Sequence, residues 1–147
     1  MKVKQISIFV LGAAVLASAC GRSAANSKDK SKVLVDLTCT DGGISSYKVD
    51  PYTAAITDRT QHFTWTLSSG STAVEAIISP KGANPWPFDD PYYSVAPGNS
   101  VKSKTVKTGI PEGTYKYSIA AVCSLPDNKR DTVSIDPDMI IPKGDLN

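Results

Sequence analysis

Few side chains in this chain can do covalent, metal or acid–base chemistry: one histidine (His62), three cysteines (Cys20, Cys39 and Cys123) and scattered carboxylates. A single imidazole excludes multi-histidine metal centres, including a blue-copper site, which needs two histidines and a thiolate. A nucleophilic triad would need His62 beside a serine and a carboxylate, yet no G-x-S-x-G elbow occurs. His62 therefore reads as an exposed strand histidine. Asp89 and Asp90, with Asp136 and Asp138, lack the oxygen-ligand spacing of a calcium loop. Adjacent carboxylates on one loop also make a poor separated acid–base pair. No catalytic residue, metal or cofactor is assigned, and a non-enzymatic role is the expectation.

The segment 80–99, PKGANPWPFDDPYYSVAPGN, is the best candidate for binding. Its five prolines and two glycines forbid continuous regular structure, and long loops of this kind are often functional. Trp86, Phe88, Tyr92 and Tyr93 gather around Asp89 and Asp90, so flat aromatic faces beside carboxylates can stack on a sugar or dock a partner protein. The structural alternative is that Trp86 and Phe88 plug the core while the tyrosines line the surface. Removing Trp86 and Tyr92 together separates the two: a binding loop loses capture and keeps its fold, whereas a plug unfolds. Lys102, Lys104 and Lys107 form a basic stripe that reads as the solvated face of a strand, where lysine also blunts edge-to-edge association.

The N-terminus, MKVKQISIFVLGAAVLASACG, places two lysines before an apolar run over 6–19 and a small-residue site. About 14 residues at about 1.5 Å each do not cross a ~30 Å hydrocarbon layer, and the pattern is that of an export signal over 1–19. Leu16-Ala17-Ser18-Ala19-Cys20 resembles the lipobox of bacterial lipoproteins, with Ala17 where that pattern prefers leucine. Ala17-Ser18-Ala19 also fits the A-x-A rule for an ordinary export signal. The lipoprotein resemblance implies that Cys20 is lipidated and anchors the chain to the bacterial membrane. Gly21 rather than aspartate after it favours the outer membrane. An odd cysteine count leaves one thiol over; with Cys20 acylated, Cys39 and Cys123 remain as one pair in an oxidising compartment. The alternative is two buried, unpaired cysteines acting as small hydrophobes. Residues 20–32 then form a lipidated start and a flexible tether, since GRSAANSKDKSK has no large apolar side chain.

These groups must be positioned by a body that spans 33–147. Removing Lys2 and Lys4 with the leader leaves 14 basic and 14 acidic residues, so nothing in the net charge draws the domain to nucleic acid. Alternation with period two dominates. Val33, Val35, Leu37 and Cys39 share a face, as do Phe63, Trp65 and Leu67, and then Tyr115, Tyr117, Ile119, Ala121 and Cys123. This spacing predicts half-buried strands. Weaker strands are expected over 44–49, 72–78, 100–107, 132–135 and 139–141. Residues 72–79 also carry helical spacing at Val74, Ile77 and Ile78. Turn signals such as Asp41-Gly42-Gly43, Ser69-Gly70 and Pro111-Glu112-Gly113 separate the runs. The expected fold is all-β, an antiparallel β-sandwich of about 7–8 strands. Both Cys39 and Cys123 sit on inward faces, so a bridge between the sheets would close a loop of about 80 residues, to which chain entropy assigns about 4–5 kcal/mol.

Gly113-Thr114-Tyr115-Lys116-Tyr117 and Phe63-Thr64-Trp65 resemble the core signatures of cupredoxin-like sandwiches. The copper-binding members carry a cysteine where this chain has Ile119, and then a histidine that this chain lacks. The resemblance therefore implies a metal-free cupredoxin-like or immunoglobulin-like domain. The function expected from all this is a non-enzymatic envelope lipoprotein acting as a binding or assembly module, with envelope proteins as partners. The alternative is a small-ligand carrier that takes, for example, a carbohydrate on loop 80–99.

Overall fold

A computed structural model of the chain describes residues 29–41, 43–83, 85–125 and 130–144. The export signal over 1–19, Cys20 and most of the tether lie outside the described residues. Ten strands run through the rest: β1 (Lys32–Thr40), β2 (Gly43–Asp50), β3 (Thr53–Ala55), β4 (Thr64–Leu67), β5 (Glu75–Pro80), β6 (Tyr93–Val95), β7 (Ser100–Lys102), β8 (Gly113–Ser124), β9 (Arg130–Ile135) and β10 (Asp138–Ile141). Among the described residues there is no helix.

The strands form two sheets. One has the order β2-β1-β4-β7; the other runs β3-β10-β8-β5-β6, with β9 also on β8. The inner faces are the ones the alternation marks. Val33, Val35 and Leu37 on β1, Trp65 and Leu67 on β4, and Tyr115, Tyr117, Ile119, Ala121 and Cys123 on β8 are all buried. Together with Ala76 and Ile78 on β5 they make one core between the sheets. That burial settles 75–80 as strand rather than helical turn: Ala76 and Ile78 point in, while Val74 is exposed.

Two features depart from the expected sandwich. The pairing is mixed, because β1 lies parallel to β4 and β10 parallel to β3. The cause is a crossover: the chain leaves β2 for the other sheet, makes β3 there, and returns to β4 on the far side of β1. A hairpin would have reversed direction; a crossing chain does not. The strand number is also higher than 7–8. The additional strands, β3 and β6, are each three residues long, too short for a period of two to register. β6 lies inside the proline-rich 80–99 segment, so that segment is not wholly irregular.

β9 and β10 behave as one strand broken at Asp136-Pro137. Both pair with the same edge of β8 in one continuous register, and the Tyr117 N–H donates to the Pro137 carbonyl (3.1 Å) across the break. Proline cannot donate to a ladder, which is why the strand is interrupted there.

Hydroxyls take over where strand pairing stops. Beyond β4 the chain still follows β1: Ser68 N–H donates to the Val35 carbonyl and Thr72 N–H to that of Leu37. The buried Ser71 hydroxyl receives the Leu37 N–H (3.2 Å) and donates to the Leu37 carbonyl (2.8 Å). Thr72 Oγ1 accepts the Cys39 N–H at 2.6 Å. The Ser71 hydroxyl thereby satisfies the Leu37 N–H, which burial would otherwise leave unpaired. For this reason the strand expected over 72–78 starts only at Glu75. Ser103 does the same at the other edge, taking the Phe63 N–H on its hydroxyl, so the strand expected over 100–107 ends at Lys102.

A Cys39–Cys123 disulfide joins the sheets, with Cα atoms 5.8 Å apart. Cys123 is fully buried and Cys39 packs against the core. Both cysteines lie near the C-terminal ends of their strands, so the bridge closes one end of the sandwich.

Candidate functional site

The other end, where β1, β4 and β8 begin, receives the 80–99 loop. Its aromatic residues divide sharply. Phe88 is fully buried, and Tyr93 is buried on β6. Trp86 packs against the core and donates its Nε1–H to the Asp90 carbonyl at 2.7 Å. Their ring neighbours are one another and the core: Trp86–Phe88 at 5.0 Å, Trp65–Tyr93 at 5.5 Å, Phe88–Tyr93 at 5.9 Å and Phe63–Phe88 at 6.0 Å. Edge-to-face and stacked contacts at these spacings stabilise a cluster beyond plain area burial. Tyr92 alone of the loop's aromatics is open, at 58% exposure, near the exposed Asp89 and the half-buried Asp90.

Tyr93 also ties the loop to the segment after β7. Its hydroxyl accepts the Lys104 N–H at 3.0 Å. Burial pushes its pKa up to about 12, and the nearby Asp90 and Asp89 charges push the same way. The Lys107 N–H donates to the Pro87 carbonyl. The loop is thus stitched to residues 103–112 by two main-chain N–H donors, one meeting the Tyr93 hydroxyl and one the Pro87 carbonyl.

Three loops meet beside it: 56–62 after β3, 103–112 after β7 and 142–144 after β10. Between them lies an open cavity of about 640 Å³ lined by Arg59, Lys107, Glu112 and Lys143, with Thr60, Thr105 and Thr108 adding hydroxyls. That size is within the range of small-ligand sites. Arg59 holds the loops together: its Nε–H donates to the Pro142 carbonyl (3.0 Å) and its Nη2–H to that of Ile110 (2.6 Å). Asp58 takes both the N–H and the hydroxyl of Thr60, the N–H bond being the larger influence, which holds its carboxyl below the usual range. No short motif marks this site. Arg59 and Lys143 are far apart in the sequence, and Lys107 belongs to a stripe whose other members are exposed on or beside β7. Only the convergence of three loop ends brings the cations together.

His62 is exposed just before β4, with Nδ1 2.7 Å from the Ser103 carbonyl. A carbonyl only accepts, so Nδ1 carries the proton. Asp136 pairs with Lys81 and Asp138 with Lys116. Asp89 and Asp90 lie on a different loop from that pair. Among the described residues no three His, Cys, Asp or Glu side chains come together as metal ligands would.

The Lys30 carbonyl accepts the Ala55 N–H and the Ser31 carbonyl the Thr64 N–H, so sheet contacts start before Val33. Asp29 shares a shallow depression with Gln61, His62, Lys32 and Lys102, and Gln61 adjoins Thr60 of the cavity wall. Comparison with protein-family models, with curated proteins and with solved structures finds no match.

Proposed function

We propose that this protein is a non-enzymatic lipoprotein of the bacterial envelope. In this reading Cys20 is lipidated and holds a metal-free cupredoxin-like or immunoglobulin-like sandwich to the outer membrane as a binding or assembly module. The observation that carries the reading is the Cys39–Cys123 bridge. It uses two of three cysteines and leaves over the one that follows the small-residue cleavage site. A disulfide buried between sheets also suits an oxidising compartment.

Changing Cys20 to serine tests the anchor. The altered protein should move from the membrane fraction of its host to the soluble fraction, with its melting temperature unchanged. If it stays in the membrane fraction after a high-salt wash, with its leader removed, the anchor is wrong. The module reading predicts that crosslinking in intact cells captures an envelope neighbour. A carbohydrate carrier is the competing reading. With Trp86, Phe88 and Tyr93 packed on one another, it rests on Tyr92, and a Tyr92→Ala variant should then lose sugar-dependent quenching of tryptophan fluorescence.

A further inference from the structure

We infer that the cavity lined by Arg59, Lys107 and Lys143 binds the phosphate of an anionic phospholipid headgroup, seating the tether end of the sandwich on the bilayer. The inference deepens the lipoprotein reading and rests on it for the source of the phosphate. The chemistry of the cavity itself does not depend on lipidation.

The cavity wall is net positive. Three cations and one acid, Glu112, line the cavity. Three lysines outside the cavity are each held by a carboxylate, Lys32 by Asp29, Lys81 by Asp136 and Lys116 by Asp138, while Lys48, Lys102 and Lys104 stand singly on the surface. Among the described residues, only in the cavity are two lysines gathered with an arginine. Lys107 and Lys143 have no ion-pair partner among the described residues. The Arg59 guanidinium is already oriented by two carbonyls, and the threonine hydroxyls can donate to a phosphate oxygen. Asp58, next to Arg59 in the sequence, is engaged by Thr60.

The segment that follows Cys20 enters the described fold at the cavity's end of the sandwich. Asp29 lies nine residue steps beyond Cys20, a reach of at most about 30 Å at full extension. Asp29 lies in the depression beside the cavity, at the end opposite the disulfide. An acylated Cys20 would therefore hold this end near the headgroups and keep its local concentration there high. Screening over about 8 Å at physiological salt means the cations act only at contact. The tether supplies that contact.

The test uses the processed chain without its acyl groups; it retains both sheets and the core. Sedimentation is measured with phosphatidylglycerol vesicles and with phosphatidylcholine vesicles, and sn-glycerol 1-phosphate is titrated in solution by NMR. The expected result is salt-sensitive binding to the anionic vesicles alone, weakened about 30-fold by Lys107→Ala with Lys143→Ala, at about 1 kcal/mol per surface cation. Lys48→Ala on β2 removes one positive charge elsewhere and should leave binding within about twofold. Circular dichroism melts show whether each variant is folded, and Arg59 is kept because it holds the loops. Equal binding to both vesicles, unchanged binding by the double variant, or equal loss in Lys48→Ala would overturn the inference. Binding of glycerol phosphate without vesicle association would overturn the membrane source. Because no acyl chain is present, failure here is separate from failure of the Cys20 anchor.

Discussion

The two ends of this sandwich are held in different ways. At one end a covalent bond joins β1 to β8, with Thr72 and Ser71 hydroxyls lining the β1 edge. At the other no covalent link exists among the described residues. Order there comes from an aromatic cluster under loop 80–99 and from one guanidinium spanning two loop carbonyls. The first end stabilises by limiting the unfolded chain, the second by burial and hydrogen bonds in the folded one. A loop end held by contacts can present charged side chains around a cavity, which a tightly bridged end has less room to do.

Removing the bridge should produce the largest effect. Cys39→Ala with Cys123→Ala is expected to cost about 4–5 kcal/mol in urea unfolding, and reductant should destabilise the unaltered protein comparably. A loss under about 1 kcal/mol would mean that packing alone holds the disulfide end. Next comes the aromatic plug. Phe88→Ala should cost about 3–5 kcal/mol, whereas Tyr92→Ala on the same loop stays within about 0.5 kcal/mol. Equal small effects would make the loop a surface decoration.

Ser71→Ala strips a partner from both the N–H and the carbonyl of buried Leu37, at a cost of about 1–3 kcal/mol. Alkaline pH should act on the other end. Tyr93 is raised to about 12 in the fold, against about 10 when unfolded. Its contribution is complete below pH 10 and is lost as pH rises from 10 towards 12, because the unfolded chain ionises first. Urea midpoints that stay level between pH 9 and 11.5 would contradict the burial of that hydroxyl. The smallest change is Tyr117→Phe. Among the described residues the Tyr117 hydroxyl and Trp65 Nε1 are buried without a hydrogen-bond partner, so deleting the oxygen should be neutral or gain up to about 1 kcal/mol. A clear loss would reveal a bond between them.

The sequence makes the covalent end far more legible than the cavity end. Alternation on β1 and β8 fixes which way Cys39 and Cys123 point, so their meeting follows once the two strands lie in facing sheets. β4 and β8 are legible for the same reason, whereas 72–79 carries helical as well as strand spacing, and only burial of Ala76 and Ile78 shows β5 as a strand. β3 and β6 are too short for periodicity, and the parallel pairing of β1 with β4 depends on a crossover that no local pattern encodes. The aromatic spacing of 80–99 suits a binding surface as well as a plug. What separates them is whether rings from β4 and β8 are close enough to receive Trp86, Phe88 and Tyr93, a matter of tertiary packing. Arg59, Lys107 and Lys143 come from three loops and carry no shared spacing.

The most direct measurement is the intact mass of the protein extracted from its host's membranes, taken with and without reduction. The account predicts residues 20–147 plus acyl chains, gaining the mass of two hydrogens when reduced. A soluble, unacylated chain with Cys20 free or paired to another molecule would contradict it.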